Sequence, residues 1–203
     1  MADWGQVARP REFGRLSAAI LRRMRAVQVV VLDVDGVMTG GRLPYLVHHS
    51  DMTGSREFDV KDGLAISQAI RVGLPCAVIT SKAGDAVRRR CMDLGIEELT
   101  IGREDKYTAL CELVGRRANG QAVRPATALP SVAFMGDDLL DLRAMLEVGL
   151  AIAPADAAPE VRRAAHYVTA RRGGEGCVRE ALRAILVAKH LWPEIVRHCR
   201  GQR

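Results

Sequence analysis

Residues 29–39 read Val29-Val30-Val31-Leu32-Asp33-Val34-Asp35-Gly36-Val37-Met38-Thr39. Four aliphatic residues in a row, three of them β-branched, suit a strand buried on both faces, as in a parallel sheet. The run stops at two carboxylates two positions apart. In an extended chain residues i and i+2 point to the same side. Asp33 and Asp35 are therefore expected to leave the strand's C-terminal end together, at the edge where open α/β sheets place their ligands. Gly36 permits a sharp turn directly after them. Two close carboxylates call for a cation or a shared proton, because like charges at short range raise one pKa. Perturbed carboxylates cluster at functional sites; the plain alternative is an Asp-rich turn.

Working outward, apolar runs alternate with helical periodicities. A short amphipathic helix is expected within 11–26, then the first strand. Residues 40–58 carry turn signals and two β-prone stretches without helical spacing, which predicts a β-hairpin placed above the Asp33/Asp35 edge. Helices follow at 61–73, 84–94, 106–117, 139–147, 159–165 and 178–189, with strands at 74–80, 98–101, 131–135, 149–153 and 167–168. The segment 119–130 reads as loop. This alternation predicts a doubly wound, mostly parallel α/β sheet with a hairpin excursion after the first strand and no large cap. The expected organisation is a tail and amphipathic helix over 1–25, one domain over 26–190, and a C-terminal tail over 191–203.

The chain has 203 residues, 48% hydrophobic and 27% charged, which suits one soluble domain with an adequate core. Thirty Lys and Arg against 24 Asp and Glu leave a net charge of +6. That balance fits an anionic substrate. The Arg clusters are scattered and lack interleaved aromatics, which argues against nucleic acid. Five widely spaced cysteines without a C-x-x-C pair read as reduced thiols, in keeping with a cytoplasmic protein. His48-His49 is an isolated pair with no metal-ligand spacing. No stretch approaches a membrane span, and arginines break up the N-terminal apolar residues.

Four element ends carry polar groups in a consistent way: Asp33-Val34-Asp35-Gly36, Thr80 after Pro75–Ile79, Lys106 opening a helix, and Gly136-Asp137-Asp138 after Val132–Met135. In a doubly wound sheet these ends meet in one crevice. Hard oxygen ligands at Asp33 and Asp137 suit Mg²⁺. A carboxylate can attack phosphorus, a second can move the protons, and a hydroxyl with an ammonium can hold the phosphoryl oxygens. No P-loop, G-x-G-x-x-G or Ser-His-Asp set competes.

Taken together, D-x-D-G, the strand-end Thr, the later Lys and G-D-D resemble the four motifs of the haloacid dehalogenase superfamily phosphatases. Phe58-Asp59-Val60-Lys61-Asp62-Gly63-Leu64, Asp105-Lys106, Gly136-Asp137-Asp138-Leu139-Leu140-Asp141-Leu142, Ala155–Val161 and Gly173–Glu180 further resemble the 3-deoxy-D-manno-octulosonate 8-phosphate phosphatases and the phosphatase module of acylneuraminate cytidylyltransferases. The likeness spans about residues 22–190. It implies Asp33 as nucleophile and metal ligand, and Asp35 as acid/base with its backbone carbonyl on the metal. Thr80 and Lys106 would hold the phosphoryl group, with Ser81, Lys82 and Lys61 near the substrate. Asp137 would be the third metal ligand and Asp138 a water-mediated one, with Mg²⁺ as cofactor. It also implies a small phosphorylated substrate and a homotetramer in which hairpins pair around a barrel. Thr80-Ser81-Lys82 stands where the family commonly has Thr-Gly-Arg, and Lys61 where it has Arg; Lys does not reproduce an arginine's planar fork. A substrate role and a structural one both stay open for Lys61, Lys82 and Asp62. The alternatives are the same chemistry on another small phosphate or a nucleic-acid end, or a non-catalytic tetrameric module of the same fold.

Overall fold

The computed structural model describes residues 16–42, 55–82, 84–117 and 125–201. Six strands form the sheet: β1 (Val29–Leu32), β2 (Cys76–Thr80), β3 (Glu98–Ile101), β4 (Val132–Met135), β5 (Leu150–Ala153) and β6 (Tyr167–Val168). Their order is β3-β2-β1-β4-β5-β6 and every pairing is parallel. β1 is central, with Val31 opposite Ala77 on one side and Phe134 on the other. The chain builds outward from β1 through β2 and β3, then crosses back to β4. That reversal opens a crevice at the C-terminal ends of β1 and β4, which is where such sheets bind ligands.

The helices are α1 (Ala18–Ala26), α2 (Val60–Arg71), α3 (Asp85–Leu94), α4 (Lys106–Arg117), α5 (Pro125–Ala128), α6 (Leu142–Glu147), α7 (Pro159–Ala164), α8 (Cys177–Ala188) and α9 (Trp192–Cys199). Alternate residues of β1 serve two cores. Val30 and Leu32 pack with Ile66 of α2 and Leu182 and Ile185 of α8. Val29 and Val31 pack with Leu110 and Leu113 of α4 and Met145 of α6. Both faces are thus covered, which is why the strand sequence is continuously apolar. Among the described residues no second domain sits over the sheet edge.

Several expectations change. The helix foreseen over 139–147 begins as a 3-10 turn, Leu139–Asp141, before α6. Asp138 and Asp141 cap that turn reciprocally and tighten it. The loop foreseen over 119–130 contains α5. The tail foreseen over 191–203 contains α9, which buries Trp192 and Ile195 against the α2/α8 layer. Pro193 lies in the first turn of α9, where a missing N–H costs nothing. The hairpin foreseen over 40–58 falls mostly on 43–54, and His48-His49 with it, outside the described residues.

Asp62 joins the two long helices of one layer. Its buried carboxylate accepts from Gly176 N at 3.2 Å and Arg179 N at 2.7 Å, at the start of α8. Asp59, the N-cap of α2, accepts from the amides of Lys61 and Asp62. Burial is the largest influence on the Asp62 carboxyl and raises it to about 6. The folded state then holds this proton more tightly than the unfolded state. Stability from this group is therefore full below pH ~4, declines as pH rises to about 6, and is level above, a fall of up to about 3 kcal/mol. Urea unfolding at pH 4 and pH 6.5 tests this: Asp62→Asn should lose that component of the pH dependence, and an unchanged slope would contradict the assignment.

Candidate active site

β1 and β4 deliver the central groups. The β1–β4 ladder continues past the strand, with Asp33 N donating to Met135 O at 3.0 Å, so Asp33 stands beside the 136–138 turn. Gly36 has φ +97°, and a Cβ there would lie 1.9 Å from Asp137 Oδ2. Only glycine lets the Asp137 carboxylate rest against the turn that follows Asp35. The floor of that turn is equally tight. Gly174 (φ +65°) donates to Val37 O at 3.0 Å, and a Cβ there would meet Gly40 N at 2.4 Å.

Oxygens of Asp33, Asp137 and Asp141 lie within 4.8 Å of one another. Lys106, at the start of α4, places its ammonium among them. Nζ is 2.9 Å from Asp33 Oδ1 and 2.6 Å from Asp141 Oδ1, with both partners and the lysine buried. Burial would lower the Lys106 ammonium, but Asp33 and then Asp141 outweigh it and hold it above its usual range. Burial, then repulsion from Asp141, raises Asp33 to about 6 against the pull of Lys106. Burial, then Asp33 and Asp141, pushes Asp137 up to about 8. Three carboxylates against one ammonium leave an uncompensated negative charge, which a divalent cation would neutralise.

The donor set fits Mg²⁺, which takes carboxylate oxygens and keeps waters for the remaining positions. Asp141 is already committed: Oδ1 to Lys106, Oδ2 to the amides of Asp137 and Asp138 at 2.9 and 3.2 Å. Asp33 and Asp137 are therefore the carboxylates placed to hold the ion, and Asp141 the one that holds them in place.

The residues expected from sequence separate into groups. Asp33, Lys106 and Asp137 converge. Thr80 is buried at the end of β2 on the same sheet edge, its Oγ1 accepting from Lys82 N at 3.3 Å. Ser81 is half-buried, and Lys82 and Lys61 are exposed. Asp138 is exposed and caps the turn through Leu139 N at 2.8 Å, outside the three-carboxylate cluster. Asp35 lies outside the three-carboxylate cluster, in a two-point pair with Arg56 at 2.8 and 3.0 Å.

Two residues of the site were not singled out by sequence reasoning. Asp141 lay inside the G-D-D-L-L-D motif, and its i+4 spacing from Asp137 was the available signal. Arg56 lay in a β-prone stretch with no local mark of its role.

No protein-family model matches the chain. It is 35% identical to the 3-deoxy-D-manno-octulosonate 8-phosphate phosphatase of Escherichia coli K12 over 177 residues, 87% of this chain and 88% of that protein. The crystal structure of the Yersinia pestis 3-deoxy-D-manno-octulosonate 8-phosphate phosphatase superposes with a TM-score of 0.79 at 33% identity, over 88% of this chain and 90% of that one. The Moraxella catarrhalis enzyme of the same name, solved with a magnesium ion, a phosphate ion and a KDO molecule, gives 0.79 at 31% identity, over 88% and 97%.

Lys106→Met tests the charge balance. It leaves the buried Asp33 and Asp141 and the half-buried Asp137 without their ammonium, and in metal-free buffer should cost about 3–5 kcal/mol of unfolding free energy. Millimolar Mg²⁺ should recover part of that loss. Equal deficits with and without Mg²⁺ in chemical denaturation would contradict a shared cation site.

Proposed function

This chain belongs to the haloacid dehalogenase superfamily phosphatases of the 3-deoxy-D-manno-octulosonate 8-phosphate phosphatase kind, and from that membership we propose that it hydrolyses the phosphomonoester of a sugar acid, 3-deoxy-D-manno-octulosonate 8-phosphate first among them. The observation that carries the reading is the meeting of Asp33, Lys106 and Asp137 at the switch point of the sheet. Asp33 attacks phosphorus through a carboxylate oxygen. The bond to the ester oxygen breaks as the Asp33–phosphorus bond forms. Asp35 gives its proton to the departing alkoxide, then takes one from the water that attacks the aspartyl phosphate and frees Asp33. Lys106 and Thr80 hold the phosphoryl oxygens. Asp33, Asp137 and the Asp35 backbone carbonyl would hold Mg²⁺, which would neutralise charge on the phosphoryl group.

Beside Thr39 the edge opens into a cavity of about 730 Å³ lined by Arg42, Ser55, Phe58, Asp156 and Arg172 among others. Its mix of guanidinium, carboxylate and hydroxyl groups suits a polyhydroxylated anion. Phosphate release from 3-deoxy-D-manno-octulosonate 8-phosphate, an acylneuraminate 9-phosphate and hexose phosphates tests the reading. Hydrolysis should require Mg²⁺, stop with EDTA, and fall by at least about 10³-fold in Asp33→Asn. No release from any ester, or an unaffected Asp33→Asn variant, would overturn it.

Assembly as a homotetramer belongs to the same proposal. Val60 and Leu64 at the start of α2, and Leu139 and Leu140 after Asp138, are all more than half exposed at the sheet edge where the site opens. Apolar residues gathered on such a rim suit cover by a neighbouring subunit. Light scattering should return four times the 22.1 kDa chain mass; a monomer would refute the assembly and leave the chemistry untouched.

A further inference from the structure

Asp35 has both oxygens occupied. Arg56 Nε donates to Oδ1 at 2.8 Å and Nη2 to Oδ2 at 3.0 Å. The Arg56 side chain is 2% exposed and that of Asp35 17%. Thr39 Oγ1 stands 3.5 Å from Oδ1, at the limit of a hydrogen bond. A buried guanidinium meeting a carboxylate edge to edge is the most directional ion pair available to a protein. Arg56 reaches Asp35 from 21 residues away, on the segment that leads into α2. The Asp33, Asp137 and Asp141 cluster has its own cation in Lys106, and Arg56 feels Asp33 as a further charge behind its bonded partner Asp35.

We propose that Arg56 is the positioning residue for Asp35, serving the reaction through that carboxylate and not through the phosphoryl group. The inference rests on the phosphatase reading above. A proton donor must turn one oxygen toward the leaving oxygen of the ester. A fork that grips two oxygens can yield one and keep the other, so the carboxyl turns about a fixed contact. Without the fork, Asp35 is a partly exposed side chain free to change rotamer, with Thr39 its nearest polar partner. An ammonium at position 56 would hold one oxygen and leave the plane of the carboxylate unset. Phosphoryl binding does not need Arg56, since Lys106 and Thr80 already stand at the strand ends.

The leaving group separates this role from a structural one. A sugar-acid phosphate expels an alkoxide, which needs Asp35's proton. p-Nitrophenyl phosphate expels a stabilised phenolate, which does not. The parameter kcat/KM reports events up to the first phosphorus–oxygen cleavage, so it isolates the protonation step. Wild type, Arg56→Lys and Arg56→Met are compared on both esters with Mg²⁺. Arg56→Met should lose at least about 30-fold on the sugar-acid phosphate and under about 3-fold on p-nitrophenyl phosphate. Arg56→Lys should fall between wild type and Arg56→Met on the first ester. Equal losses on the two esters, or no loss on the sugar-acid phosphate, overturn the inference while an active wild type keeps the phosphatase reading. A wild type that hydrolyses neither ester overturns both.

Discussion

A buried ammonium between two buried carboxylates is the constraint on which the site depends. Lys106 bridges Asp33 and Asp141 at 2.9 and 2.6 Å, and a third carboxylate, Asp137, completes the group. In a dry interior such charges persist only when they are paired and hydrogen-bonded. The pairing ties the end of β1 to the start of α4 and to the turn after β4. Those three points come from distant parts of the chain, so one lysine fixes the shape of the crevice. The leftover negative charge is what recruits a divalent cation; burial first, and the neighbouring carboxylates after it, raise Asp33 and Asp137.

The backbone makes that density of charge possible. Glycine stands wherever a side chain would displace a carboxylate or a neighbouring turn. Gly36 clears Asp137, and Gly174 lets the 173–176 loop lie directly on the turn after Asp35. The loop is in turn anchored by Asp62, which accepts from Gly176 and Arg179 at the head of α8. Packing of α2 on α8 therefore reaches the turn after Asp35 through the 173–176 loop, whose Gly176 N donates to the Asp62 carboxylate and whose Gly174 N donates to Val37 O.

Much of the sheet was legible because a doubly covered parallel strand leaves a continuous apolar signature. Val29–Leu32 and Val132–Met135 announce themselves, and their polar ends mark Asp33, Asp35 and Asp137 without any tertiary information. Asp141 was harder, because a carboxylate on a helix start reads as surface until the turn is seen to tighten and bury it. Arg56 carried no local signal; its role exists only once the chain has folded it back onto Asp35. The helix at Trp192–Cys199 was concealed by Pro193, although Trp192, Ile195, Val196 and Cys199 keep helical spacing. Groups at the ends of strands were visible, as was Lys106 at a helix start, whereas Asp141 and Arg56 took their roles only from partners that the folded chain brings to them.

That distinction also bears on why two carboxylates two residues apart should do different work. Lys106 is a point charge that engages one oxygen of Asp33, Oδ1, at 2.9 Å. Arg56 engages both oxygens of Asp35 at 2.8 and 3.0 Å and so fixes the plane of that carboxylate. A strand would place the two acids on one side and treat them alike. Their neighbours break the equivalence: an ammonium from α4 prepares one to attack in the proposed reaction, and a guanidinium fork from the segment before α2 restrains the other. In the proposed reaction, the order of chemistry along D-x-D then follows from which cation each carboxylate meets.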